Sequence, residues 1–203
     1  MTIVVKASGN QWEMLTASSS DIQWIKADDS FSFINHPEAD AFFILDDNNK
    51  YNFTETTKPI FINSVTATLR EIHSPVNVLR INGWNTFLQR DSWEIAGIID
   101  NNSKEILEKL NKKKYLTKDE PGFISARIIA MIINEAFFAL GDNVSTKTEI
   151  DIAMKLGTNY PYGPFEWAEK IGLNNILLLL QKLCLTDKRY QPAPMLIAAA
   201  LNN

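Results

Sequence analysis

The sequence is poor in the residues that build disulfide frameworks, metal sites and thiol chemistry. Its 203 residues include one cysteine and two histidines, which excludes an internal disulfide framework. Neither His36 nor His73 stands at the spacing of a zinc motif, and no GxSxG or P-loop motif occurs. Cys184 lies among leucines, where a buried thiol is expected. We therefore predict no metal site and no nucleophilic cysteine.

An excess of positive charge is also missing. The net charge of −4 and the pI near 5.3 argue against a nucleic-acid binder, because phosphate contacts need clustered lysines and arginines. The one basic run, residues 112–114, falls at the end of a helix predicted over residues 103–114 with Ser103 as its N-cap, where cations complement the helix dipole. We read this run as a helix end.

Long uninterrupted apolar runs are scarce as well. The most apolar stretch, residues 123–140, carries Arg127, Asn134 and Glu135, so it predicts a buried core helix rather than a membrane span. The first residues, MTIVVKASGNQWE, contain no signal-peptide apolar region. These features predict a soluble, cytoplasmic protein with no membrane partner.

What the sequence does contain is two halves of different pattern. Strand-like runs occupy residues 2–6, 22–26, 41–45, 59–65 and 77–81. Several are continuously apolar, as in a parallel sheet covered on both faces. The connections are short for parallel crossovers, which predicts a cut-down α/β unit in residues 1–100. Helical patterns fill residues 101–203, with a TKTE capping box at Thr146 and Glu149, an N1 proline at Pro164 and a terminating Gly172.

The turn after the first strand is where a dinucleotide fingerprint would stand. It reads ASGNQW over residues 7–12, and of the three fingerprint glycines it holds only the middle one, Gly9. The first glycine permits the tight turn and the third lets the helix pack on the strand. Trp12 replaces the third, and we expect its bulk to obstruct that packing.

Glu94 is the carboxylate whose setting suggests chemistry, because it stands between Trp93 and Ile95. Such a carboxylate could have a raised pKa or could orient a catalytic base. It could equally form a structural ion pair with Arg80 or Arg90. The residues alone leave both readings open.

Three segments resemble a known family. They are KDEPGFISARIIAMIINEA (118–136), EIDIAMKLGTNYPYGPFEWAEKIGL (149–173) and RYQPAP (189–194). They are similar to the helical C-terminal domain of the 3-hydroxyacyl-CoA dehydrogenases, especially the bacterial 3-hydroxybutyryl-CoA branch, a domain of the 6-phosphogluconate dehydrogenase C-terminal type. The likeness spans about residues 75–196 and weakens before 118. It implies a shortened Rossmann-like sheet for NAD, followed by a helical domain that dimerises and forms one wall of an acyl-CoA cleft.

The resemblance implies roles for individual residues around INGWNTF (81–87). The family's catalytic histidine falls on Asn82, and its carboxylate partner twelve residues later falls on Glu94. The asparagine of the family's turn is kept as Asn85, but the proline after it is Thr86. The family's active-site asparagine before an arginine falls on Ala126. By the same resemblance, the catalytic set is incomplete.

The resemblance assigns only a few residues of this chain to cofactor and substrate contacts. The NAD-binding glycines reduce to Gly9, and Asp28 is the nearest candidate to hold a ribose hydroxyl. The hydroxyl of the family's serine-rich turn falls near Thr66 and Thr68, which become candidate substrate contacts. Whole crossover helices of the NAD-binding domain are missing, as is the helical arm that the family uses to grip CoA.

Two hypotheses follow from this pattern. In the first, the chain is a non-catalytic relative that dimerises with itself or with a full-length dehydrogenase and binds acyl-CoA, because the Asn82 amide cannot act as a general base. In the second, it is an active NAD-dependent oxidoreductase on a 3-hydroxyacyl-CoA or a related β-hydroxy acid. The second needs another base, and His73 in the loop before Asn82 is the candidate.

Overall fold

The computed structural model describes residues 1–17, 21–46 and 51–202 and divides into two compact units. The sheet unit is Met1–Phe123 and the helical unit is Ile124–Asn203. This α/β sheet followed by helices confirms the predicted fold class. The division lies later than the boundary we placed at residue 100, because residues 101–116 form a helix and a strand that join the sheet.

The described part of the sheet unit contains seven strands in the order β2-β1-β3-β4-β5-β6-β7. The first five are mutually parallel, β6 runs antiparallel to β5, and β7 runs parallel to β6. The bounds are Thr2–Lys6, Gln23–Lys26, Ala41–Ile44, Ile60–Asn63, Val78–Ile81, Ser92–Ala96 and Lys113–Leu116. All five predicted strands are present. The pattern missed β6 and β7, and β7 is exposed along its whole length, so it carries no apolar signature.

The two faces of the sheet are covered in different ways. Helices α1 (Gly9–Thr16) and α2 (Asn101–Lys109) pack Leu15 and Leu107 against one face. The other face is covered by connections whose described parts form only short 3₁₀ turns, which insert Phe33 and Phe53 against the sheet. Aromatic side chains thus cover this face where the described connections form no α-helix, in agreement with the predicted cut-down α/β unit.

The start of α2 differs from the expected one. Asp100, not Ser103, is its N-cap, and the Asp100 carboxylate accepts a hydrogen bond of 2.8 Å from the Ser103 N–H. The helix ends at Lys109, and two lysines of the basic run belong to β7. The helix predicted over 103–114 was therefore wrong at both ends, because a strand follows after a short turn.

The helical unit is built from α3 (Ser125–Gly141), α4 (Lys147–Thr158), α5 (Pro164–Ile171), α6 (Leu173–Cys184) and α7 (Pro194–Leu201). The capping box at Thr146 and the N1 proline at Pro164 are confirmed. Cys184 is buried, as expected. Among the helices of the described residues, none is both long and apolar enough to cross a bilayer.

Candidate functional site

The carboxyl edge of the parallel strands is the place where open α/β sheets bind ligands, at the point where the strand order reverses. In this sheet the reversal lies at β1, because β2 is on one side of it and β3 on the other. The candidate site is therefore the crevice between the ends of β1 and β3, with the loops that follow β4 and β5 beside it.

Gln11 fills this crevice. Its side chain is buried, and its amide nitrogen donates hydrogen bonds to the carbonyl oxygens of Leu45 (2.8 Å) and Gly83 (3.0 Å). Leu45 follows β3, and Gly83 lies in the loop after β5. Its amide oxygen accepts hydrogen bonds from the N–H and the hydroxyl of Ser8, at 3.1 and 3.0 Å. Sequence reasoning missed Gln11, although a glutamine where a helix begins after a strand was the available signal.

A second amide extends the network below Gln11. Asn63, the last residue of β4, is buried, and its side chain donates to the Leu45 carbonyl at 3.3 Å and accepts from the Gly83 N–H at 3.0 Å. A Cβ at Gly83 would stand 2.7 Å from the Asn63 Cβ. Residue 83 must therefore be glycine for the β5 loop to approach β4 this closely.

Gly9 and Trp12 stand at the second and third glycine positions of the dinucleotide fingerprint, but the turn does not form that motif. Gly9 is the first residue of α1, and a Cβ added to it would meet no atom within 4 Å. Trp12 does not obstruct the helix: it lies half-buried with its ring 6.5 Å from that of Trp24 on β2. The expectation that Trp12 blocks the helix from packing was therefore wrong, because its side chain turns toward the edge strand.

Asp28, the candidate ribose ligand, is engaged within its own turn. Its carboxylate accepts hydrogen bonds from the hydroxyl (2.7 Å) and the N–H (2.9 Å) of Ser30, and these lower the pKa of Asp28. Lys6, at the end of β1, donates to the Asp28 carbonyl at 2.6 Å and pairs with Asp29 at 2.7 Å. The cation nearest the crevice thus neutralises a carboxylate of this loop.

These residues do not fit a dinucleotide. Two of the three fingerprint glycines are absent, a buried amide fills the switch-point crevice, and the loop that would hold a ribose is closed on Ser30 and Lys6. No described group of three or more His, Cys, Asp and Glu residues could hold a metal ion, within 1–17, 21–46 and 51–202.

Asn82 and Glu94 come together through strand register. Arg80 pairs with Ala96 and Ile81 with Ile95 across β5 and β6, so the next pair in this register is Asn82 and Glu94. Residues opposite each other on an antiparallel pair direct their side chains to the same face. Asn82 is buried, and its side-chain oxygen accepts a hydrogen bond of 3.2 Å from the Trp84 N–H. Continued by one residue beyond β5, the register thus sets the Asn82 amide opposite the Glu94 carboxylate.

Arg90 is the arginine whose charge interacts with Glu94. Burial lowers the pKa of Arg90, and the negative charge of Glu94 partly offsets that fall. The Arg90 guanidinium lies over the Phe87 ring, 4.1 Å from its centroid. Of the two readings left open for Glu94, this interaction favours the structural ion pair.

Arg80 has a different partner, which the sequence did not reveal. It is fully buried, and its guanidinium contacts Asp119 at 2.6 Å and the Ser64 carbonyl at 2.8 Å. Asp119 also accepts from the N–H groups of Leu69 and Arg70. We call this set the Arg80 clasp. It ties the loop after β4 to the end of the sheet unit.

The remaining candidates are spread over the sheet unit. Thr68 is buried and bonded to Glu71, with its N–H at 2.9 Å and its hydroxyl at 3.1 Å from the carboxylate, and Thr66 is half-buried. Asn85 is half-buried beside Thr86, whose φ of 79° is closed to a proline. These positions follow β4 and β5 at the carboxyl edge.

The structure does not bring either histidine to Asn82. His73 is exposed and precedes the start of β5, whereas Asn82 follows its end. A four-residue strand separates the two by about 13 Å of rise. His36 stacks on Phe31, with the ring centroids 5.7 Å apart. The proposed substitution of His73 for the base is therefore unsupported by the fold.

The helical unit carries its own buried polar ties. Asp151 on α4 accepts from the N–H groups of Phe165 (2.8 Å) and Glu166 (3.2 Å), which caps α5. Asn134 on α3 donates to the Gln191 carbonyl and accepts from the Ala193 N–H at 2.8 Å. These contacts give structural roles to one residue in each of two segments that resemble the family, Asn134 in 118–136 and Asp151 in 149–173. At the position where an amide was expected by resemblance, Ala126 is fully buried and offers no side-chain polar group.

Comparison with known proteins shows that the helical unit is similar to one domain of a known family. The family model "3-hydroxyacyl-CoA dehydrogenase, C-terminal domain" matches residues 122–202. The 3-hydroxybutyryl-CoA dehydrogenase of Bradyrhizobium diazoefficiens is 43% identical over 97 residues, which cover 47% of this chain and 33% of that protein. The Escherichia coli 3-hydroxyadipyl-CoA dehydrogenase is 42% identical over 97 residues, 47% of this chain and 20% of that protein. The match thus spans a third or less of the length of these relatives.

Solved structures extend the likeness to the fold of the whole chain. The (S)-3-hydroxybutyryl-CoA dehydrogenase of Ralstonia eutropha matches with a TM-score of 0.74 at 20% identity, covering 98% of this chain and 93% of that chain. The FadB2 protein of M. tuberculosis matches with a TM-score of 0.78 at 14% identity, covering 99% and 93%. At these identities the likeness concerns the fold alone.

Proposed function

We propose that the chain is a dimerising, acyl-CoA-binding relative of the 3-hydroxyacyl-CoA dehydrogenases without the family's ordinary catalysis, because the model of that family's C-terminal domain matches its helical unit. One argument supports the catalytic part: the register of β5 and β6, continued by one residue, sets Asn82 opposite Glu94. An amide cannot take up a hydroxyl proton, and a general base contributes about 10²–10⁴ in rate. The proposal keeps the predicted cytoplasmic location, which cell fractionation tests.

Exposed apolar side chains support the dimerising role. Among the described residues, fifteen large hydrophobic side chains are exposed, and ten of them lie in the helical unit. Ile152 and Leu156 stand four residues apart on α4, so they share one face, and they are 49% and 83% exposed. Contiguous exposed apolar surface is typical of a protein interface. We assign this face to a second copy of the chain, with a full-length dehydrogenase relative as the alternative partner.

Sedimentation velocity of the purified chain tests the dimer. Leu156→Glu places a charge on the proposed interface, and Ile98→Glu places the same charge on an exposed site of the sheet unit, where Ile98 is 66% exposed. We expect a dimer for the unmodified chain and Ile98→Glu, and a monomer for Leu156→Glu. A monomer for all three contradicts self-association, and mixing with a full-length relative then tests the second partner.

Catalysis is tested by following NADH oxidation with acetoacetyl-CoA, with the Bradyrhizobium enzyme as positive control. We expect no turnover above the buffer blank for the unmodified chain or for Asn82→His, which restores an imidazole opposite Glu94. Saturable binding of acetoacetyl-CoA in a calorimetric titration is expected of both. Turnover by the unmodified chain, lost in Glu94→Gln, would instead establish an active oxidoreductase.

A further inference from the structure

We infer that Gln11 takes the place of a dinucleotide in this fold: its amide closes the switch-point crevice, ties three strand ends together and leaves the chain unable to bind NAD(H). This goes beyond the proposed function, because a protein that dimerises and binds acyl-CoA without turnover could still hold a dinucleotide. The inference rests on the placement of the amide, on its hydrogen bonds and on the groups around it.

The placement follows from the topology. Gln11 lies in the first turn of α1, directly after β1, and its side chain reaches the backbone after β3 and the loop after β5. A dinucleotide on such a sheet crosses the carboxyl edge at this point, with its pyrophosphate against the first helical turn. The side chain and the cofactor would therefore occupy the same crevice.

The hydrogen bonds of the amide are complete. A glutamine side chain has two donors and an oxygen with two lone pairs, and Gln11 uses both N–H groups on the carbonyls of Leu45 and Gly83. Both lone pairs accept from Ser8. Because the partners are two carbonyls and an N–H, only one orientation of the amide satisfies them. Displacing the side chain would take its donor from the Gly83 carbonyl and leave the Leu45 carbonyl with only the longer bond from Asn63, which is costly without new donors.

Two backbone N–H donors at the start of α1 are also engaged within the chain. The Gln11 N–H points to the Ser8 hydroxyl at 3.4 Å, and the Ser8 N–H is held by the Gln11 side chain, so the two form a capping box. A pyrophosphate at a helix start is bound by such N–H groups. Lys6, the cation at the end of β1, already pairs with Asp29. Three features that would attract a pyrophosphate are thus satisfied within the chain.

The tie is tested by thermal unfolding of Gln11→Glu. The carboxylate keeps the size of the side chain but removes both donors and sets its oxygens beside two carbonyl oxygens. We expect its Tm to fall by about 5 °C or more, since two buried bonds are lost. Asn10→Asp is the matched control, because Asn10 is the exposed neighbour on α1, and its Tm should stay within about 1 °C. Equal Tm values for both variants would overturn the structural tie.

The exclusion is tested by titrating the full chain with NADH, NAD+ and AMP, read by NADH fluorescence and by the Tm. We expect no saturable signal and no Tm rise at millimolar nucleotide. A saturable NADH signal or a Tm rise in the unmodified chain would overturn the exclusion. Acetoacetyl-CoA is titrated separately, so failure of acyl-CoA binding counts against the proposed function and leaves the inference standing.

Discussion

The two units resemble known proteins in different properties, the helical unit in its sequence and the sheet unit in its fold. The family model covers nearly the whole helical unit, at residues 122–202. The sheet unit shares a backbone fold with solved dehydrogenases, yet over the whole chain only 20% of residues match in the Ralstonia structure. At the carboxyl edge of the sheet the resemblance puts Asn82 where a histidine belongs and leaves one fingerprint glycine. The helical unit thus matches its relatives in sequence, whereas the sheet unit is similar to solved structures in fold alone.

Both units use the same physical device to hold their parts together. Asn134 ties α3 to the segment before α7, and Gln11 ties α1 to the ends of two strands. A buried amide with all partners in place stabilises one arrangement of the backbone. In the helical unit the device joins helices, whereas in the sheet unit it fills the crevice in which such folds bind ligands. The same chemistry thus supports the fold in one unit and, by our inference, closes a binding crevice in the other.

The largest effect is expected at the Arg80 clasp. Arg80→Met keeps most of the buried stem but leaves Asp119 and the Ser64 carbonyl without their cation. Removing one partner of a buried ion pair costs several kcal/mol, and because Asp119 is 30% exposed we expect a loss of about 3 kcal/mol in the free energy of unfolding. Urea unfolding followed by circular dichroism measures it.

Arg70→Met is the matched control for the clasp. Arg70 is exposed and contributes only its backbone N–H to Asp119, so its loss should cost less than about 0.5 kcal/mol. Hydrogen exchange should place the Arg80→Met damage in residues 64–70 and 119–123. Damage confined to the helical unit would contradict the assignment.

A second comparison sets one glycine of each unit against the other. A Cβ at Gly163 would stand 2.3 Å from a carboxylate oxygen of Asp151, whereas one at Gly9 would meet nothing within 4 Å. Gly163→Ala should therefore cost about 2 kcal/mol through overpacking, and Gly9→Ala should stay within about 0.5 kcal/mol. Urea unfolding of both variants measures the difference. A loss at Gly9 as large as that at Gly163 would mean that the remaining fingerprint glycine still has a structural task.

The sequence predicted the elements of the fold better than their contacts. Continuous apolar runs predicted the parallel strands, and Thr146 with Glu149 predicted the start of α4, because both signals are local. β7 was missed because a lysine-rich edge strand has no apolar period. The Arg80 clasp joins residues 39 positions apart, and no local pattern reveals such a pair.

The candidate site was predictable only where the family resemblance reached. It led to Asn82 and Glu94, whose opposition the strand register supports. It could not lead to Gln11, because the fingerprint motif specifies the glycines of the turn. It does not specify a side chain that fills the crevice. Trp12 was the side chain expected to obstruct the packing of α1 on β1, but only the structure shows that it turns toward Trp24.

Two carboxylates with opposite pKa shifts allow the smallest and most selective comparison. For Asp119, burial raises the pKa, but hydrogen bonds from Leu69 N–H, Arg80 and Arg70 N–H outweigh it, so the folded pKa lies below the ordinary 3.8. Its stabilising contribution is present above 3.8 and is lost as the pH falls through the folded value. We expect Asp119→Asn to remove an acid-dependent loss on the order of 1 kcal/mol from the sheet unit.

Asp151 should behave in the opposite sense in the helical unit. Burial raises its pKa above 3.8 despite the hydrogen bonds from the N–H groups of Phe165 and Glu166. The folded state therefore holds this proton more tightly than the unfolded state, and acidification from neutral pH through the folded pKa adds stability at this site. Hydrogen exchange between about pH 6 and about pH 3 follows each unit in its own peptides. Removal of either carboxylate should change the pH slope only in its own unit, and in opposite directions; equal slopes in both units would mean that neither carboxylate governs the acid response.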